Sequence, residues 1–281
     1  MADLHAINDA INKKAGRKLL PSILVSLFLL GLIFGTINTE PLLFFALIWI
    51  VIMIGIREIT AAYGKGGIDL PDYVLMIAAS VLLVATWNGN TQGLAVSTGL
   101  IIPILMFTLL MISQKDFIKR STSAVFITFY LAVLGGFILL LANHENGATR
   151  IFALVALIAF NDTFAYIAGV LIGKHKLAPS ISPKKSWEGL IGGAIAAVIG
   201  GAAIFHYLFE TTWYVGALIG LMTVVTATCG DLIESAIKRD LAIKDMSNFL
   251  PGHGGIMDRL DSALFTAPAV WFAIELINRY L

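Results

Sequence analysis

Nine apolar runs, separated by short polar segments, set the terms for any fold this chain can adopt. They are Leu20–Ile37, Pro41–Ile56, Pro71–Trp87, Gly93–Ile112, Ser123–Ala142, Thr149–Gly173, Gly189–Phe209, Trp213–Ser235 and Asp261–Tyr280. A membrane-spanning helix needs about 20 mostly apolar residues, with about 17 to 25 usual. The second run is the shortest. Backbone polar groups in hydrocarbon must be satisfied within the segment, so apolar runs of this length are read as helices. Only 13% of the residues are charged and the mean hydropathy is +0.87, against roughly a quarter charged in a soluble chain. The reading is an all-α, polytopic integral membrane protein with about nine transmembrane helices.

The basic residues orient it. With the N-terminus in the cytoplasm, 17 of the 19 Lys and Arg fall on cytoplasmic segments, and only Arg150 and Arg279 fall outside. Such a bias sets membrane topology. It places the two polar loops, 174–188 and 236–260, on one cytoplasmic face. The expected organisation is a cytoplasmic segment 1–19, a five-helix region 20–142, and a four-helix catalytic region 149–281 carrying both loops. The single cysteine, Cys229, excludes an intrachain disulfide and a cysteine metal cluster.

Polar residues then mark where chemistry would sit. The stretch Gly230–Asp261 carries ten charged residues and His253, between two apolar runs. Ionisable groups beside membrane segments are costly and usually functional. Asp231, Glu234, Ser235 and Lys238 follow i, i+3, i+4, i+7 spacing and share a helix face. Asp258 and Asp261 stand three apart at the start of the last run. Between the acid pairs lies Pro251-Gly252-His253-Gly254-Gly255, whose glycines allow close backbone approach. His253 reads as a phosphate or base contact first, with a metal ligand or loop staple behind. Acids for a cation, bases for phosphate and an open glycine loop suggest phosphoryl-type chemistry. The acids also admit a plainer account: an ion pair of Asp231 or Glu234 with Lys238 or Arg239, and helix capping by Asp258 and Asp261.

Upstream, Asp162 lies in the sixth run, where a carboxylate costs about 2.5–3.5 kcal/mol unless paired or facing a cavity. It reads as part of a polar pocket, or as an interhelical hydrogen bond. In Ser182-Pro183-Lys184-Lys185-Ser186-Trp187-Glu188-Gly189 the prolines break helix and would hold Lys184 and Lys185 in place for phosphate. Lys174 and Lys176 are accounted for by topology and anionic lipid. Arg57-Glu58 reads as a local pair or as snorkelling anchors.

These residues resemble a known family. Ser235-x-x-Lys238-Arg239-x4-Lys244-Asp245, followed by Leu250-Pro251-x-His253-Gly254-Gly255-x-x-Asp258-Arg259-x-Asp261, looks like the pattern of the phosphatidate cytidylyltransferases, also called CDP-diacylglycerol synthases. The Asp162–Tyr166 and Ser182–Gly189 segments resemble the same family, with one departure at Phe164, where the family has a small residue. The match covers roughly residues 160–262.

The resemblance implies that phosphatidate and CTP give CDP-diacylglycerol and pyrophosphate, in phospholipid biosynthesis. It also implies Mg²⁺, with room for a second, monovalent cation such as K⁺. Asp231, Asp258, Asp261 and Glu234 are the expected metal ligands. Asp231, Asp258, Lys238, Arg239 and His253 are the expected catalytic set. Ser182, Lys184, Lys185, Ser235, Arg259, Gly254, Gly255 and Asp162 are the expected substrate contacts. The expected setting is the inner (plasma) membrane, with the active site facing the cytoplasm. The expected partners are CTP, phosphatidate and the bilayer, with no nucleic acid; a homodimer is left open. The competing functions are a CTP-dependent polyprenol or lipid kinase and an ion-coupled secondary transporter. The transporter would need paired broken helices in two related halves, which the sequence does not display.

Overall fold

The computed structural model describes residues 19–247 and 254–280. The basic N-terminal segment and His253, both singled out above, lie outside the described residues. The helices are α1 (Leu19–Thr39), α2 (Pro41–Lys65), α3 (Asp72–Ile112), α4 (Phe117–Ala142), α5 (Gly147–Ile172), α6 (Trp187–Leu208), α7 (Trp213–Asp240) and α8 (Met257–Tyr280). Among the described residues, the seven helices α2–α8 are long and apolar enough to cross a membrane, and α1 contributes the shorter apolar stretch Val25–Thr39. The chain is therefore an all-α polytopic membrane protein.

Each apolar run lies on a helix to within a residue, and the third and fourth share α3. That helix has 41 residues, or about 60 Å at roughly 1.5 Å per residue, twice the hydrocarbon thickness. It does not run straight. Asn90 takes φ 50°, ψ −137°, outside helical space. A Cβ on Gly93 would collide with the Ala85 carbonyl, although residues eight apart in a continuous helix stand about 12 Å apart. The chain folds back at Asn90, and Asn143 donates across to the Trp87 carbonyl at 2.7 Å.

Helix ends depart from the apolar runs in one direction. α2 continues past Ile56 to Lys65, α7 past Ser235 to Asp240, and α8 begins four residues before Asp261. Hydropathy stops at the first charges, whereas a helix continues wherever those charges find partners. The loop expected at 236–260 is correspondingly shorter, since its outer residues belong to α7 and α8. The loop at 174–188 also contains regular structure. It forms an antiparallel hairpin of β1 (Lys176–Ala178) and β2 (Ser182–Ser186), paired Lys176 to Ser186 and Ala178 to Ser182.

α4 is the most enclosed of the seven spans. Its middle, Thr128–Val133, is π-helical, which seats Tyr130 between Phe126 and Phe265 at ring-centre distances of 5.5 and 5.7 Å. Around it, α5, α6, α7 and α8 pack in sequence order through small residues. At the α6–α7 crossing, Gly201 and Gly216 each lie against the other's carbonyl, and Gly220 lies against that of Ala197. Small residues let membrane helices approach to backbone contact.

Gly220→Val is expected to destabilise the protein by at least the roughly 1–3 kcal/mol of an overpacked interface. A Cβ on Gly99 would meet nothing within 4 Å, so Gly99→Ala should leave thermal unfolding in detergent unchanged. Equal melting of the two variants would contradict the packing described.

Candidate active site

The site forms where α7 and α8 run antiparallel in backbone contact. A Cβ on Gly230 would strike the Asp261 carbonyl, and Thr226 donates to Thr266 at 3.2 Å one turn further along. With the helices this close, carboxylates three apart on each helix face one another as two rungs. On one rung the side chains of Asp231 and Asp261 are within hydrogen-bonding reach. On the other, Glu234 and Asp258 share one ammonium: Lys238 bonds Glu234, its i+4 neighbour, and Asp258 Oδ1 at 2.7 Å. Side-chain exposure there is 2% for Glu234, 14% for Lys238 and 9% for Asp258.

The hairpin closes the first rung from the side. Lys185 of β2 makes an ion pair with Asp231, and Arg239 Nε donates to the Ile181 carbonyl at 3.3 Å. The base of the hairpin is held by Glu188. It accepts from the backbone N–H of Lys174 at 3.1 Å and from that of His175, and its Oε1 lies 2.6 Å from His175 Nδ1. Ser186 caps α6 by accepting from the Gly189 N–H at 3.1 Å. The sequence Ser-Pro-Lys-Lys-Ser thus folds as a strand that ends in a helix cap, pointing Lys185 inward and leaving Lys184 exposed.

Asp162 faces this same group. Asn161 Nδ2 donates to it at 2.9 Å, and its charged surroundings include Asp231, Lys185 and Arg259. The sequence-derived residues therefore divide by position. Asp162, Lys185, Asp231, Asp261 and Arg259 gather on the first rung, and Glu234, Lys238 and Asp258 on the second. Ser235 lies half-buried on α7 one turn beyond Asp231, and Ser182 and Lys184 lie on β2. Asp258 Oδ2 accepts from the N–H groups of Gly255 at 2.7 Å and Met246 at 3.3 Å. Gly254 packs beside it with φ +79°, a conformation that favours glycine.

The carboxylates sort electrostatically. Glu234 and Asp258 already share a fixed cation, and Asp258 also holds two backbone N–H groups. On the other rung Lys185 bonds Asp231, while Asp261 is 8% exposed and accepts from the Ser262 N–H at 2.8 Å. This rung is the more open of the two, with the Asp231 side chain 29% exposed. Among the described residues, no three His, Cys, Asp or Glu side chains form a ready cluster for a metal ion.

One residue escaped the sequence reading. Glu58 was taken as the partner of Arg57 or as a snorkelling anchor. Arg57 instead faces outward, while Glu58 is 7% exposed and accepts from the N–H groups of Ile256 at 3.0 Å and Met257 at 2.9 Å. Its signal in the sequence was a carboxylate just past the end of an apolar run otherwise free of acids.

A model of the cytidylyltransferase family matches residues 21–277. The chain belongs to this family. Among curated relatives, the phosphatidate cytidylyltransferase of Mycobacterium leprae is 32% identical over 94% of this chain and 90% of its own length. That of Mycobacterium tuberculosis is 32% identical over 94% of this chain and 84% of its own length. The Bacillus subtilis enzyme of the same name is 42% identical over 48% of this chain and 50% of its own. The family match takes in α2 as well as the rungs, so the cytidylyltransferase frame includes the helix that carries Glu58.

Removing Lys238 alone strands two buried carboxylates, a change that costs about 3–5 kcal/mol when a buried pair is broken. Lys238→Met is therefore expected to lower the detergent melting temperature sharply. Lys238→Met with Glu234→Gln should recover a large part of the loss. No recovery would show that the three groups are not coupled as the ion pairs indicate.

Proposed function

We propose that this chain transfers a cytidylyl group from CTP to phosphatidate, giving CDP-diacylglycerol and pyrophosphate. The observation that carries the proposal is the meeting of Asp231 and Asp261 beside Lys185 and Arg259, in a chain of the cytidylyltransferase family. A phosphate oxygen of phosphatidate attacks the α-phosphorus of CTP. The bond from that phosphorus to the bridging oxygen breaks, and pyrophosphate leaves with the electron pair. The attacking phosphate is already an anion, so the site has no hydroxyl proton to remove. Its task is to bring two polyanions together and to offset charge at the α-phosphate and the departing pyrophosphate.

The residues divide that task. Lys184, Lys185, Arg239 and Arg259 supply positive charge around the first rung for the two phosphorylated reactants. Lys238 holds Glu234 and Asp258 in register, and Asp258 ties Gly255 and Met246 to the start of α8. Asp162 adds a carboxylate that can order a basic side chain at the mouth. Acyl chains remain in the bilayer while the head group meets the polar end of α7 and α8. The distribution of Lys and Arg supports a cytoplasmic location for that end.

The residues present fit a divalent cation. Asp231 and Asp261 meet side chain to side chain, with Lys185 bonded to Asp231, and Mg²⁺ commonly takes one or two carboxylates plus substrate phosphates. When bound there, Mg²⁺ would neutralise phosphate charge and act as a Lewis acid. Glu234 and Asp258, expected above among the ligands, have Lys238 as their cation instead. The proposed ligand pair is accordingly Asp231 and Asp261.

Purified protein given Mg²⁺, CTP and phosphatidate is expected to release pyrophosphate. Asp231→Asn and Asp261→Asn should each lower that rate at least about 100-fold, the scale of losing a group that stabilises transition-state charge. A CTP-dependent lipid kinase would yield CDP instead, so separating CDP from pyrophosphate decides between the two.

A further inference from the structure

We infer that Glu58, on α2 in the first half of the chain, is a positioning residue for the cytidylyl-transfer site: its carboxylate fixes the start of α8 and so the register of Asp258 and Asp261 against α7. The inference rests on the function proposed above. Glu58 Oε1 accepts from the Ile256 N–H at 3.0 Å and from the Ser247 hydroxyl, and Oε2 accepts from the Met257 N–H at 2.9 Å. A Cβ on Gly255 would approach Oε2 to 2.5 Å. One side chain thus grips the backbone just before Asp258 and also Ser247, on the far side of the polar loop. Asp258 makes the parallel connection through Gly255 and Met246.

Three features separate this from a passive packing contact. First, a helix N-terminus attracts anions through its free N–H groups and its dipole. Glu58 fills that position at α8, so incoming phosphate is left to the lysines and arginines. Second, α2 is anchored to the catalytic half again at its C-terminal end, where a Cβ on Gly66 would approach a Leu241 methyl to 2.9 Å. The carboxylate is therefore held on a braced helix. Third, the first five residues of α8 include Asp258, Arg259 and Asp261. Releasing that segment moves one acid of each rung and one base at once.

The test compares Glu58→Ala and Glu58→Gln with wild type in detergent, using Mg²⁺, CTP and phosphatidate. The readouts are kcat, the half-saturating Mg²⁺ concentration, melting temperature, and hydrogen exchange at the Ile256 and Met257 amides. Glu58→Ala is expected to lower kcat by about 10- to 100-fold, the usual effect of losing a partner that orients metal ligands. It should raise the Mg²⁺ requirement and speed exchange at both amides, and it should lower the melting temperature because the buried donors lose their acceptor. Glu58→Gln keeps the length and one carbonyl acceptor, so it should recover part of each change. If Glu58→Ala is too unstable to purify, Glu58→Gln and Ser247→Ala carry the same comparison in smaller steps. Wild-type kcat and Mg²⁺ requirement in the variants overturn the inference. So does a loss of kcat that tracks melting temperature with no change in Mg²⁺ requirement. An inactive wild type would instead sink the proposed function, and unchanged exchange at the two amides would still refute the role of Glu58.

Discussion

The backbone contact between α7 and α8 at Gly230 and Asp261 is the constraint on which the site depends. It brings like charges into opposition that would separate in any looser packing. Two carboxylate pairs facing each other in a dry environment repel strongly, because the effective dielectric is low. The fold tolerates them by different means. Lys238 bridges one pair from within α7. The other is partly offset by Lys185, which arrives from a different segment. The apolar faces of α5, α6, α7 and α8, locked through glycine contacts, supply the packing against which this repulsion is held.

That asymmetry decides how the two rungs can act. A rung with its own buried ammonium is structurally complete, and breaking it exposes an uncompensated charge. The other rung takes its lysine from the hairpin and leaves Asp231 29% exposed, so it is the more open to a ligand. The sequence spacing of three residues is the same on both helices, yet it yields one structural pair and one pair suited to ligand. Lys238 makes the difference, being placed to reach Glu234 along its own helix and Asp258 across the interface.

The clustering of acids and bases was legible in the sequence because charge in so apolar a chain is conspicuous. Spacing alone put Asp231, Glu234, Ser235 and Lys238 on one face. Tertiary choices were less visible. Periodicity along α7 cannot say whether Lys238 serves Glu234 alone or bridges to α8, and so four acids seemed equivalent as ligands. Helix ends near charges were placed inside the true ends at Ile56, Ser235 and Asp261, because hydropathy registers a charge and not its partner. The hairpin at 176–186 was hidden because its prolines and lysines lack the alternation of a longer strand. Glu58 was misread for the same reason as Lys238: its partners lie about 190 residues away in sequence, and its neighbour Arg57 offered a cheaper explanation.

The position of Glu58 also changes how the first half of the chain is to be understood. A set of apolar helices that only filled space would need no carboxylate at the start of another helix. Placing one there carries the cost of a buried charge, which is offset only if the N–H groups it meets are held in place. The contact is therefore two-sided. α8 gives Glu58 the donors that make its burial tolerable, and Glu58 gives α8 a fixed first turn. Neither part can shift in register without releasing the other.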